Sequence, residues 1–151
     1  MADEVTVVNA NARQLPFEAH TFDAIVSIDA FEYFGTDVHT LPELLRVVRP
    51  GGRIGMSTPS LRVDPYQERP AKDISALLGP EVGAWHAPEW WATHWELSGL
   101  VDDVVARWQT AGAQDWLAWQ AALGCEDDAL SRLLASPQEP IGFALVSATR
   151  R

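Results

Sequence analysis

The stretch LLRVVRPGGRIGMSTPS, residues 44–60, constrains the fold more than any other part of the chain. Leu44, Leu45, Val47 and Val48 form an apolar stripe at helical spacing. Arg46 and Arg49 fall in the last turn, where cations meet the negative end of a helix. Pro50 cannot continue that helix, and Gly51–Gly52 make a turn. Arg53 to Thr58 then reads as a strand. Upstream, Thr40-Leu41-Pro42-Glu43 has the form of a capping box with proline in the first turn, so the helix starts at Thr40 or as early as Asp37. Before it, FDAIVSI (22–28) is a near-continuous apolar run of the kind that suits a strand covered on both faces. Strand, helix, strand in this order implies a right-handed parallel crossover and an α/β fold.

The flanking sequence extends the pattern. Val5 to Val8 reads as a short strand that enters a loop at Asn9–Asn11 and is closed by Pro16. A proline-rich stretch over 59–87 reads as a loop with one short helix around Lys72 to Leu78. Pro88 opens a helix that ends at Gly99, followed by a strand over 100–106. Ala113 to Leu123 is a helix with Trp116, Trp119 and Leu123 at helical spacing. Asp127 and Asp128 begin another, which runs through Leu134, and Gly142 to Thr149 is a last strand. The strands at 5–9, 22–28 and 53–58 should be parallel, and those at 100–106 and 142–149 an antiparallel pair at one edge. Residues 1–151 read as one domain.

Composition narrows the partners. The formal net charge of −10 argues against a nucleic-acid backbone and against an anionic membrane face. No apolar run approaches the ~20 residues of a membrane span. MADEVTVV has no basic region of a signal peptide. Cys125 is the one cysteine, so neither an intrachain disulfide nor a cysteine metal cluster is expected, and the reading is cytoplasmic. His86 and His94 have no cysteine or acidic partner at metal spacing, so no metal site is expected. Of the seven tryptophans, Trp91 and Trp95 are four apart and adjacent on one helix. Packing explains such residues better than an aromatic acceptor pocket does.

NARQLPF (11–17), TFDAIVSIDAFEYF (21–34) and LLRVVRPGGRIGMSTP (44–59), in this order, resemble the class I S-adenosylmethionine-dependent methyltransferases. PEWWATHWELSGLVD (88–102) resembles the helix and strand that enter the antiparallel hairpin of that fold. The resemblance implies a Rossmann-like sheet, mostly parallel with a C-terminal antiparallel pair. It implies S-adenosylmethionine as cofactor and methyl transfer to a small-molecule acceptor. It places Asn11 and Ala12 beside the adenine, with Asn11 where the family usually has aspartate. It places Ser27 and Ile28 beside the methionine part. Asp29, Glu32 and Tyr33 become candidates for a base acting on the acceptor. The nucleophile of the transfer needs alignment above all.

In the family, a glycine-rich loop and an acidic residue on the second strand hold the cofactor. Here the first glycine is Gly35. The resemblance thus implies a truncated domain lacking two βα units, on the order of 60–80 residues, with cofactor binding and activity impaired or lost. It also implies uncovered strand edges, which points to a homodimer. The alternative is a non-catalytic methyltransferase-like module that acts through self-association or a partner chain. A nicotinamide-dependent oxidoreductase is disfavoured, because it needs the same glycine loop.

Overall fold

A computed structural model describes residues 5–125 and 129–151. The order of elements is β1 (Phe22–Ile28), α1 (Thr40–Val47), β2 (Val48–Leu61), α2 (Lys72–Leu78), α3 (Pro88–Leu97), β3 (Val101–Trp108), α4 (Gly112–Leu123), α5 (Ala129–Leu134) and β4 (Ile141–Arg150). Short 3₁₀ turns occupy Phe31–Tyr33 and Gly79–Ala84. The four strands form one open sheet in the order β1-β2-β4-β3. β1 and β2 are parallel, and β4 runs antiparallel to both β2 and β3. Three strands therefore point one way and β4 the other, with the expected antiparallel pair at the β3 edge.

The expected strand at Val5–Val8 is absent. Residues 5–10 carry no regular structure, and Val5 and Val7 are 82% and 92% exposed. A strand is stable only when its backbone groups find a partner, and β1 pairs with β2 alone among the described strands. No described strand covers the far edge of β1, where Val26 and Ile28 are exposed. The expected helix start at Asp127–Asp128 lies outside the described residues.

Around α1 the structure departs from the capping reading. The Thr40 hydroxyl donates to Phe34 O (2.8 Å) and does not cap the helix. Glu43 reaches outward instead: its Oε1 accepts the Leu15 N–H (3.0 Å) and pairs with Arg46 (2.7 Å). Arg46 also donates to the carbonyls of Phe17 (2.7 Å) and Leu15 (2.9 Å). The NARQLPF loop is thereby fastened to α1. Arg49 lies in β2 rather than in the last helical turn, and its guanidinium pairs with Asp23 of β1. Between the pairs Phe22↔Val48 and Ala24↔Arg53 the register shifts, and Pro50-Gly51-Gly52 bulges out. Gly51 takes φ 76° there, a left-handed conformation that glycine adopts without cost.

The sheet is packed on both faces. Ala144, Val146 and Ala148 of β4 join Ile54, Met56, Leu44, Trp91 and Trp95 in one cluster. Ile141 and Phe143, of opposite parity and so on the other face, join Leu61, Ile74, Leu78, Trp85 and Leu134. Trp91 and Trp95 are wholly buried, so packing accounts for these two indoles. No described helix is long and apolar enough to cross a membrane.

Candidate active site

At the carboxyl end of β1 the chain turns sharply. Asp29 adopts φ 50°, a left-handed conformation that aspartate tolerates better than most residues. Its N–H donates to Ser57 O on β2 (2.8 Å). The turn aims the next residues over the strand ends, where open α/β sheets bind ligands. Two cavities, of about 230 and 340 Å³, open there and share Asp29, Trp116 and Phe143 as lining. The smaller is completed by Tyr33, Glu81 and Trp85 among others, the larger by Ile28, Ser57, Gln109, Asp115 and Trp119. Gly112 is needed at this junction, since a Cβ there would stand 2.8 Å from the Phe143 ring. Without it α4 could not close down on β4.

The acidic groups differ in environment. Burial pushes the Asp29 carboxyl above its ordinary range, and it accepts no hydrogen bond from a described residue. Glu32 is 2% exposed. Its Oε2 accepts a short hydrogen bond from Thr58 Oγ1, while Oε1 is buried without a partner. Burial raises its pKa first, the Thr58 hydroxyl partly offsets this, and the negative charges of Asp29 and Glu81 raise it further. The Tyr33 phenol is raised as well, by burial and then by Glu81, Glu32 and Asp29. At the larger cavity Ser57 Oγ donates to Gln109 Oε1 (2.7 Å), and Gln109 Nε2 donates to Asp115 (3.4 Å).

The residues expected to meet a cofactor are divided. Ala12 and Ser27 share a cleft of about 340 Å³ along β1, with Leu15, Phe17, Ile25 and Phe34 among its other walls. Ile28 lines the larger strand-end cavity instead. The Asn11 carboxamide turns back on its own loop, where Oδ1 accepts the Arg13 N–H (2.9 Å). The cleft offers apolar walls to the faces of a flat purine ring, but little for the polar edge of adenine. Its described lining offers Ser27 as the single polar side chain, so the ribose hydroxyls and the amino-acid end of the cofactor find no charged partner. The fit is partial.

One buried polar pair escapes sequence reading. His86 Nδ1 lies 3.0 Å from Asp64 Oδ2, with both side chains almost fully buried. Trp90 stacks on His86 at 3.5 Å between ring centroids and on His94 at 4.8 Å. Burial lowers the pKa of both histidines, with Asp64 opposing this at His86. The partners are 22 residues apart, and nothing in the local pattern announces the pairing. No metal-binding group occurs among the described residues.

Residues 1–56 match the family described as methyltransferase domain. Demethylmenaquinone methyltransferase of Bacillus cytotoxicus is 38% identical over 52 residues, which is 34% of this chain and 22% of that protein. The Bacillus cereus enzyme of the same name is 37% identical over 51 residues, again 22% of its length. The aligned segment thus spans about a fifth of the curated relatives it matches. Likeness of fold reaches further. Geranyl diphosphate C-methyltransferase of Streptomyces coelicolor A3(2), solved with Mg²⁺, geranyl diphosphate and S-adenosyl-L-homocysteine, matches 94% of this chain and 52% of its own at 17% identity (TM-score 0.64). Phosphoethanolamine N-methyltransferase 2 of Haemonchus contortus, solved with S-adenosylhomocysteine, matches 93% of this chain and 36% of its own at 10% identity (TM-score 0.67). Sequence over the first third is similar to methyltransferases, and the fold over nearly the whole chain is that of the S-adenosylmethionine-dependent methyltransferases. It spans about half or less of these two solved chains.

Proposed function

We propose that the chain forms the acceptor side of an S-adenosylmethionine-dependent methyltransferase that acts on a small molecule, as a single partial methyltransferase domain. The observation that supports this most is the pair of adjoining cavities at the strand ends, faced by Asp29 within a methyltransferase fold. The cofactor, when bound, supplies an electrophilic methyl group. The chain's own residues hold the acceptor and take its proton. Asp29 faces both cavities with a free carboxylate, and it is the base in this reading. Glu32, buried against Thr58, and Tyr33, which borders the smaller cavity, are the other candidates. Ala12, Ser27 and Ile28 flank the cofactor, and Asn11 shapes the loop beside it.

For these 151 residues alone we propose weak cofactor binding and little turnover. Two absent charge-assisted hydrogen bonds, at about 1.5–3 kcal/mol each, weaken binding by about 10²–10⁴-fold. Calorimetric titration with S-adenosylmethionine tests this. Binding in the millimolar range supports the reading. A micromolar dissociation constant contradicts the impairment, and no heat up to 20 mM contradicts a cofactor role.

The edge of β1 that no described strand covers, with Val26 and Ile28 exposed, favours a second reading, a module that self-associates. A homodimer through this edge should give twice 16.6 kDa by light scattering and revert to monomer in Val26→Lys and Val26→Pro. A monomer at high micromolar concentration removes this reading.

A further inference from the structure

The lining of the two strand-end cavities has a chemical bias that bears on what they take up. Asp29 faces both, Glu81 the smaller and Asp115 the larger. No lysine, arginine or histidine is among the described residues that line either one. The clefts that do hold cationic side chains, at Arg62 and Arg69, are separate and share no lining residue with these two.

Between the acids stands an aromatic wall. The Trp116 ring lies 5.3 Å from that of Trp119 and 5.7 Å from that of Phe143. Tyr33 and Trp85 add two more rings on the side of the smaller cavity. Aromatic faces carry negative potential and attract cations, and an ammonium within about 6 Å of a ring gains ~0.5–2 kcal/mol depending on its desolvation. In either cavity an anion would meet two carboxylates and the ring faces with no compensating charge. It would be desolvated at a cost that the lining does not return.

Resting on the methyltransferase reading for its biological sense, we propose that these cavities bind an organic amine in its ammonium form, with its apolar body against Trp116, Trp119 and Phe143 and its charged end between Asp29 and Asp115. An acceptor bearing a phosphate or diphosphate, such as the geranyl diphosphate held by one relative in fold, does not suit this lining. Ser57 donates to the Gln109 amide oxygen, and the Gln109 amide nitrogen makes one long hydrogen bond (3.4 Å) to Asp115, which leaves most of that carboxylate for a ligand. Asp29 has a free carboxylate whose proton affinity burial has raised, and an ammonium beside it reverses that shift.

The test needs no cofactor. The 151-residue chain is titrated with three probes that share one body: 4-phenylbutylamine, 4-phenylbutanol and 4-phenylbutyrate. Binding is followed by the indole N–H resonances of Trp116 and Trp119 in ¹⁵N-labelled protein. The amine should bind at least tenfold more tightly than the carboxylate, with the alcohol between, and the shifts should centre on those two indoles. In Asp29→Asn/Asp115→Asn the preference should fall to within about twofold while the alcohol's affinity holds, which separates lost charge from lost folding. Equal binding of amine and carboxylate, a tighter carboxylate, or no saturable shift for any probe up to 20 mM overturns the proposal. Because the readout is binding without S-adenosylmethionine, failure of the methyltransferase reading shows elsewhere, in the calorimetric titration with the cofactor.

Discussion

Replacing Glu32 by glutamine should stabilise the protein at neutral pH, and the gain should vanish in acid. Glu32 is 2% exposed, and one of its two oxygens has no partner. A buried acceptor left unsatisfied costs about 1–3 kcal/mol, and more when charged. Burial raises its pKa from the ordinary 4.5. A carboxyl raised in the fold holds its proton more tightly there than in the unfolded chain. Its favourable contribution is therefore whole below pH 4.5 and is lost as pH rises through the raised value. Glutamine keeps the shape and an oxygen to accept from Thr58, and removes the buried charge. The expected gain at pH 8 is about 1 kcal/mol, since the buried charge is removed while the amide N–H₂ stands unpaired where Oε1 stood, and in a chain of this size that raises Tm by about 2–4 °C. Differential scanning calorimetry at pH 8 and pH 4.5 measures it. A difference between Glu32 and Glu32→Gln that is equal at the two pH values, or a loss at pH 8, would refute the assignment of Glu32 as a destabilising buried carboxylate.

Thr58→Val removes the hydroxyl that stabilises the Glu32 carboxylate; it should cost about 1.5–3 kcal/mol at pH 8 and less at pH 4.5, read by the same calorimetry. His86 has its pKa lowered from 6.5 by burial, so the unfolded chain takes up the proton first and stability falls as pH drops below 6.5; an NMR titration should show the His86 and His94 rings changing charge below that value. Trp95→Ala, at a wholly buried site in the α3 interface, should cost about 3–5 kcal/mol in urea unfolding. Gly112→Ala sets a Cβ 2.8 Å from Phe143 and should cost about 1–3 kcal/mol while weakening probe binding at Trp116.

Where the signal is local, the sequence was legible. The run FDAIVSI, the proline before EWW and the tryptophan spacing of α4 each come from residues a few positions apart, and their elements lie where expected; PGG does follow the helix, but as a bulge within β2 rather than as a turn ahead of it. The antiparallel pair at one edge was implied by the family resemblance rather than by any periodicity; that β4 is its inner member, beside β2, was not read from the sequence. The failures all involve partners. VTVV has strand chemistry, yet a strand needs a neighbour, and none of the described strands takes it up. Thr40 and Glu43 match a capping box, but both side chains found tertiary partners, Phe34 O and Leu15 N, that a four-residue pattern cannot contain. The candidate site was legible in one part, since Asp29, Glu32 and Tyr33 follow directly from the end of β1. The opposing wall of Trp116, Trp119, Gln109 and Asp115 comes from about 80 residues further along, brought in by α4 packing on β4. The His86–Asp64 pair was hidden for the same reason.

If the strand-end region of this chain is the working face of a methyltransferase fold, the cofactor should touch it. The most direct test is a map of backbone amide shifts as S-adenosyl-L-homocysteine is added to the ¹⁵N-labelled chain at millimolar concentrations. The account predicts weak, saturable shifts gathered at Ala12, Ser27, Ile28 and Asp29, with β3 and α5 still. Saturable shifts gathered elsewhere, or none at 20 mM, would contradict it.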